Sequence, residues 1–316
     1  MVLNKKDYLN LKKKLSFRRN VFVSLTVILI DLVLFYFCIL GLLHESWVWY
    51  ILASLVISVI FFHHFSILHD CGHGSCSSSR TVNSMIGHYA SLFCFLPYYP
   101  WKYIHQKHHE WSGNLEKDPV LKNMKKWRDQ AGAPWLVRFA WRSWVPLAGL
   151  FQHVVFWTYP VVMLKQGQLK GKAFWLSLGS IIWIGGIYLS LFLFMSEIFN
   201  LKSFGLVFFF YLMLVECVNL PHHTGMPTYD EKIPFREQSK VTRSCYFPFL
   251  ISELLWLNFN FHIEHHLFPT LPWYRLRKVR IYLMSALLDS YHEEKGISWN
   301  LRNRKRDFNH LIKKKI

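Results

Sequence analysis

The sequence lacks the short motifs that would place it in a familiar soluble class. It has no HExxH, which leaves no metalloprotease-type zinc site. It has no Glu-x-x-His, which leaves no carboxylate-rich dinuclear site of the soluble four-helix-bundle kind. Cys-x-x-Cys is also absent; Cys38, Cys71, Cys76, Cys94, Cys217 and Cys245 are scattered, several in or beside apolar segments. They read as reduced, small apolar residues without a disulfide framework or thiolate metal site. Acids are scarce, 19 against 37 Lys and Arg in 316 residues. No internal repeat or low-complexity linker appears, so residues 1–316 are expected to form a single domain.

Apolar and aromatic residues are plentiful. The chain is 52% hydrophobic and 18% aromatic, with 14 Trp, a composition suited to two membrane interfaces. Nearly uncharged stretches run over Val21–Leu43, Trp47–Phe65, Ala173–Met195 and Phe204–Leu220. As helices at about 1.5 Å per residue, the longer two reach roughly 35 Å, against a hydrocarbon core of about 30 Å. The formal charge of +18 would suggest nucleic acid in a soluble protein, but its distribution argues otherwise. With the four stretches paired as two hairpins, 36 of the 37 Lys and Arg fall on one side, the exception being Lys202. That is the positive-inside pattern: both termini are expected in the cytoplasm, and no nucleic-acid partner is implied. The basic start resembles a signal peptide, but its apolar part is too long and no small-residue cleavage site follows, so an uncleaved first span is expected.

Read in order, residues 1–20 form a basic N-terminus expected on the cytoplasmic membrane surface, drawn to anionic lipid. Asp31 lies inside the first span and is expected to make a structural hydrogen bond. His63 and His64 read as packing or supporting residues. Val82–Leu96 is too short for a normal crossing and is expected at the interface, ending at the helix-breaking Pro97 and Pro100. Ser143–Leu164 is long enough to cross but holds Pro146, Gln152, His153 and Pro160. It is expected in the interface, supported by the Lys165, Lys170 and Lys172 that follow it. Tyr246–Leu257 is a second interfacial candidate. Residues 281–316 read as a solvated basic C-terminal tail.

The remaining chemistry lies in histidine. His262-Ile263-Glu264-His265-His266 and His105-Gln106-Lys107-His108-His109 share the spacing HxxHH, and His69-Asp70-Cys71-Gly72-His73 is a shorter relative. On a helix, positions i, i+3 and i+4 lie within about 100° of one face, so each box can aim its imidazoles together. With 17 His, two HxxHH boxes arise by chance in roughly one such sequence in a thousand. Glu216, Asn219 and His223 share a face if their helix continues through Pro221. Eight or nine imidazoles exceed the needs of one ion and suggest two metals at the cytoplasmic face. Imidazole suits iron, copper, zinc and nickel alike. Iron is favoured, because a dinuclear iron centre can activate oxygen beside an apolar substrate. Asp70, Glu216 and Glu264 are placed to orient the rings and balance charge.

These three boxes resemble those of the membrane-bound fatty acid desaturases. Asn219 with His223 is similar to the Asn-x-x-x-His element of the acyl-coenzyme A branch. His223-Thr224-Gly225-Met226-Pro227 and His266-Leu267-Phe268-Pro269-Thr270-Leu271-Pro272 are similar to acyl-lipid desaturase segments. The resemblance runs from about the first span to Arg280. It implies an all-α integral membrane fold: four transmembrane helices in two hairpins, interfacial helices, and a cytoplasmic helical cap bearing the boxes. It implies two iron ions held by His69, His73, His105, His108, His109, His223, His262, His265 and His266, with Asn219 near one of them and His222 a neighbour. Dioxygen is the implied co-substrate, a fatty acyl lipid, acyl-CoA or acyl-carrier the substrate, and a separate ferredoxin or b-type cytochrome the electron donor. His262 departs from the front-end desaturases, which usually have Gln there, so double-bond position is not carried over. A lipid, alkane or carotenoid hydroxylase or ketolase with the same centre is the nearest rival. A non-catalytic metal-binding or transport protein predicts histidines along a path across the membrane, and these cluster at one face.

Overall fold

The computed structural model describes residues 5–130, 134–165, 171–196, 201–287 and 291–306. Lys170, Lys313, Lys314 and Lys315, part of the basic charge noted above, lie outside them. Helix dominates. Five helices are long and apolar enough to cross a membrane: α2 (Val21–Leu42), α3 (Trp47–His73), α8 (Leu147–Lys165), α9 (Lys172–Phe194) and α10 (Leu201–His223). Four match the spans read from sequence. The fifth, α8, holds Pro160 and has the lowest hydropathy of the five, 1.4 against 1.9 to 2.6.

The described residues divide into two compact units, each assembled from separated stretches of chain. One contains Asn20–Tyr103 and Ala148–Leu214. Its first helix is capped by Asn20, whose side chain accepts from Phe22 N. The 27 residues of α3 extend about 40 Å, beyond a bilayer core, until Gly74 ends the helix in the left-handed region at φ 69°. The last turns of α3 therefore carry His69 and His73 past its apolar segment. Where α2 meets α3, Asp31 is 2% exposed, and His63 Nδ1 lies 3.0 and 3.2 Å from its two carboxylate oxygens. His64 stacks on Phe93 at 4.2 Å, a packing role. Helix α4 (Arg80–Cys94) has 15 residues, about 22 Å, too short to cross, as the sequence suggested. Its terminal carbonyls are taken up by other elements: Tyr211 on α10 donates to Cys94 O (2.8 Å) and Trp157 on α8 donates to Phe95 O (2.9 Å).

The other unit comprises the described parts of Met1–Arg19, Ile104–Leu147 and Val215–Ile316. It holds α1 (Lys5–Lys14), most of α5 (Tyr98–Trp111), α6 (Pro119–Gln130), α7 (Pro134–Arg142), α11 (His262–Leu267), α12 (Leu276–Leu287) and α13 (Gly296–Arg304). The all-helical expectation meets one exception here. Strands β1 (Ser244–Tyr246) and β2 (Glu293–Lys295) pair in parallel, Cys245 opposite Glu294. Two terminal readings also change. Helix α1 does not lie free on a surface: Leu11 is buried in the cluster of Phe261, Ile263, Leu267, Phe268 and Val279. The stretch read as a solvated tail is folded through Arg306, with Arg304 3% exposed, 2.6 Å from Glu216 Oε1 and 3.9 Å above the Trp141 ring. Basic composition alone pointed to solvent; a buried carboxylate and an aromatic face account for the difference.

The pair across α2 and α3 yields a test. Asp31→Ala removes one partner of a buried bond and is expected to cost about 1–3 kcal/mol, visible as a lower thermal midpoint in detergent, with bound metal unchanged. Asp31→Asn, which keeps an acceptor for His63, is expected to lose less.

Candidate metal centre

Helices α5 and α11 present the two HxxHH boxes, and the structure divides each box between two groups. On a helix, the i+4 side chain lies about 40° from residue i, and the i+3 side chain about 60° away in the other sense. His105 with His109, and His262 with His266, are therefore natural pairs, while His108 and His265 point to the far side of their helices' shared face. In one group, His108, His223, His262 and His266 bring ligand atoms within 4.8 Å of one another, all four residues buried. Their Nε2 atoms are closer still: 3.1 Å from His108 to His223, 3.0 Å from His223 to His262, and 3.1 Å from His262 to His266. In the second, His109 Nε2 stands 3.1 Å from His105 Nε2 and 2.9 Å from His265 Nε2. The groups touch, His109 stacking on His266 at 4.2 Å. The sequence reading had each box converging on one point; two diverging directions per helix replace it.

Three of the four rings in the first group have their tautomer set by what Nδ1 meets. His108 Nδ1 lies 2.8 Å from Asp118 Oδ1, His223 Nδ1 3.1 Å from Val241 O, and His266 Nδ1 2.8 Å from Gln238 Oε1. Each partner only accepts, so each Nδ1 carries the proton and each Nε2 offers a bare lone pair. Gln238 is oriented in turn because its amide donates to His109 O at 2.7 Å. Lone pairs facing one another near 3 Å repel unless a cation lies among them. Tetrahedral nitrogens at about 2.1 Å from a metal are about 3.4 Å apart, close to the spacing observed. The residues thus fit a metal ion on chemistry as well as on distance. Burial, then the adjacent imidazoles, hold His262 and His266 well below the usual histidine range, which keeps them neutral and ready to ligate.

The loop after α5 builds the support for these rings. Asp118 is fully buried; its Oδ1 accepts from Val120 N at 2.9 Å and caps α6, and its Oδ2 accepts from Gly113 N at 3.3 Å. Gly113 has φ 84°, and a Cβ there would meet Val241 Cγ1 at 2.5 Å. Only glycine lets this loop approach Val241, whose carbonyl sets His223.

In the other unit, His69 and His73 lie one turn apart at the end of α3, ring centroids 4.9 Å apart. Asp70 Oδ1 is 3.9 Å from His69 Nδ1, within electrostatic reach. Trp101 packs 5.7 Å from His69 and closes on Gly72, where an added Cβ would lie 2.4 Å from the indole.

The sequence model of the fatty acid desaturases matches residues 45–296, most of the chain and all three boxes. The chain belongs to that family. Among similar proteins are a probable fatty acid desaturase of Sorghum bicolor, 29% identical over 73% of this chain and 62% of the relative, and an endoplasmic reticulum omega-3 fatty acid desaturase of Vigna radiata, 27% identical over 79% and 68%. An sn-1 acyl-lipid omega-3 desaturase (ferredoxin) of Synechocystis is 25% identical over 81% of this chain and 73% of its own. The chain thus spans about two thirds of the length of these desaturases.

Within this desaturase-family chain, α10 does continue through Pro221 to His223, so Asn219 sits one turn before His223 and is half-buried. His222 is not in the four-ring group; it stacks on His262 at 4.0 Å and 13°. Of the three carboxylates singled out from sequence, Asp70 lies near His69, while the other two bond elsewhere. Glu264 accepts from Ser244 Oγ (2.6 Å) and Tyr291 OH (2.5 Å), and burial raises its pKa. Glu216 faces Arg304. The acid that orients a clustered ring is Asp118, and the amide that does so is Gln238; neither was found from sequence. Asp118-Pro119 is a helix-start signal, which marks the cap but not the second bond. Gln238 carries no local signal.

Two outcomes follow from this support. Asp118→Asn keeps the α6 cap and weakens the hold on His108; about a 10–100-fold loss in metal affinity is expected in chelator competition. In metal-free protein, the unfolded chain takes up protons at His262 and His266 near pH 6.5, while the folded chain does not. Stability is therefore full above that pH and falls as pH drops below it. Glu264 has the opposite sign, one group against two, so the thermal midpoint of chelator-treated protein is expected to decline from pH 6.5 downward.

Proposed function

We propose that the chain catalyses oxygen-dependent desaturation of a fatty acyl chain, with two iron ions held by histidine. The observation that carries this reading is the convergence of imidazole Nε2 atoms in two adjoining groups, in a desaturase-family protein rich in membrane-length helices. His108, His223, His262 and His266 hold one ion. His105, His109 and His265 would hold the other; His69 and His73, spaced i, i+4 like His105 and His109, are the further ligand pair that the family resemblance implies. Asn219, one turn before His223 on α10, would lie near the ion of the four-histidine group, as the family's Asn-x-x-x-His element implies.

When bound, the iron pair would supply the reduction of dioxygen. The protein's own part is to place and insulate. Asp118, Gln238 and the Val241 carbonyl lock ring orientation, so the ligands need no rearrangement during turnover. Burial and the neighbouring imidazoles keep His262 and His266 neutral, and Asp118 lies against the four-histidine group through His108 Nδ1. The apolar surroundings exclude water and hold the acyl chain so that adjacent methylenes face the metals, which makes positioning the main source of specificity. The names of relatives support an acyl-lipid substrate and a ferredoxin donor over acyl-CoA and a b-type cytochrome. The membrane arrangement has four crossings, with α8 in the cytoplasmic interface, since α9 and α10 alone return the chain to the side of the first two boxes.

Expression in a host without polyunsaturated lipids is expected to yield a new double bond in its acyl lipids. A new hydroxyl or keto group instead would transfer the assignment to the oxygenating rival. His105→Ala, His108→Ala, His265→Ala and His266→Ala are each expected to lower product at least about 100-fold and reduce bound iron; full activity in any of them refutes its ligand role. Lys165→Cys and Lys172→Cys are expected to react with a membrane-impermeant thiol reagent from the same side as a cysteine placed in α1. Labelling from the opposite side removes the four-crossing arrangement.

A further inference from the structure

Helix α1 has one apolar side, and the protein interior already occupies it. Leu11 is 7% exposed among Phe261, Leu267 and Phe268. Tyr8 stacks on Phe268 with centroids 5.2 Å apart and planes 5° from parallel, and its hydroxyl donates to Leu267 O at 3.1 Å. The rest of the helix surface is mainly cationic: Lys5, Lys6, Lys12, Lys13 and Lys14 are all exposed, beside Leu9, Asn10 and Asp7, the one acid in the helix. Arg18, just beyond, is exposed too.

A helix that binds a bilayer inserts its apolar face to a depth of about 5–10 Å. Here that face is sealed against α11, so what α1 offers outward is a set of lysines with Leu9 as its single exposed apolar side chain, too little for an insertion surface. Its position adds a second constraint. Leu267 and Phe268, on which Tyr8 rests, directly follow His265 and His266, so the cationic face is mounted on the short helix that supplies three of the clustered imidazoles. A negatively charged protein seated on α1 is brought to the metal-binding part of this unit.

We propose that α1 is the docking surface for the electron donor, a small acidic ferredoxin. This rests on the desaturase reading above. Each turnover draws one electron from each of two reduced ferredoxins. With two protons and the two hydrogens removed from adjacent acyl carbons, these electrons reduce one dioxygen to two waters and leave one carbon–carbon double bond. The lysines steer the donor and fix its orientation, and salt weakens the encounter.

The test is direct binding of an acidic two-iron ferredoxin to the full-length protein in nanodiscs, with Lys12→Glu, Lys13→Glu and Lys14→Glu combined. At low salt the triple variant is expected to bind at least about tenfold more weakly, with bound metal and thermal midpoint unchanged. The gap is expected to close near 0.5 M salt. The corresponding triple Lys→Arg variant is expected to bind like the parent. Equal binding by the Glu variant overturns the proposal, as does a loss accompanied by lost metal or a lowered midpoint. Binding that follows the anionic lipid content of the disc rather than these lysines also overturns it, in favour of a headgroup contact. Ferredoxin binding through α1 with no double bond formed would fault the assigned reaction and leave the docking surface standing.

Discussion

The structure depends on a set of hydrogen bonds made on the outer side of the histidine cluster. An imidazole has two nitrogens, and an acceptor at Nδ1 decides which one keeps its proton. Asp118, Gln238 and the Val241 carbonyl make that decision for three rings, and all three turn a lone pair inward. Much of the nearby architecture can be understood as holding those acceptors in place. Gly113 lets a loop reach Val241, the start of α6 fixes Asp118, and the backbone of His109 fixes Gln238. Neutral rings packed this closely would otherwise be a liability, since burial and mutual repulsion both oppose their protonation.

Fold and site were legible to different depths. The apolar helices could be read because membrane length and sparse charge are local properties of a segment, and four of the five appear where they were expected. The boxes could be read because helical spacing is also local. How a box is shared was not, since it depends on the roughly 60° and 100° that separate His108 from His105 and His109, and on which elements approach from each side. Asp118 announced a helix start, yet its bond to His108 closes across a folded loop that no spacing rule describes. Gln238 lies 28 residues from His266 with nothing nearby to mark it. Glu264 and Glu216 were more visible and are otherwise engaged: Glu264 ties α11 to β1 and Tyr291, and Glu216 anchors α13 through Arg304.

The ends of the chain show why charge composition misleads. Lysine-rich and arginine-rich stretches are most often solvated, and both termini were read that way. In α1 the basic residues do face outward, but Tyr8 and Leu11 dock the helix on the third box. In α13, Arg304 is drawn inside because a carboxylate and an indole await it. A few apolar or aromatic contacts per turn decide the placement, and composition averages them away.

Helix α3 joins an apolar, membrane-length segment to two histidines in one continuous element. It is an unbroken rod without proline, and the same rod lies in the apolar segment and bears His69 and His73 at its tip. A thicker or thinner bilayer changes the tilt and height such a rod adopts. Because the helix is unbroken, any such change in tilt moves the two imidazoles together with the apolar turns below them.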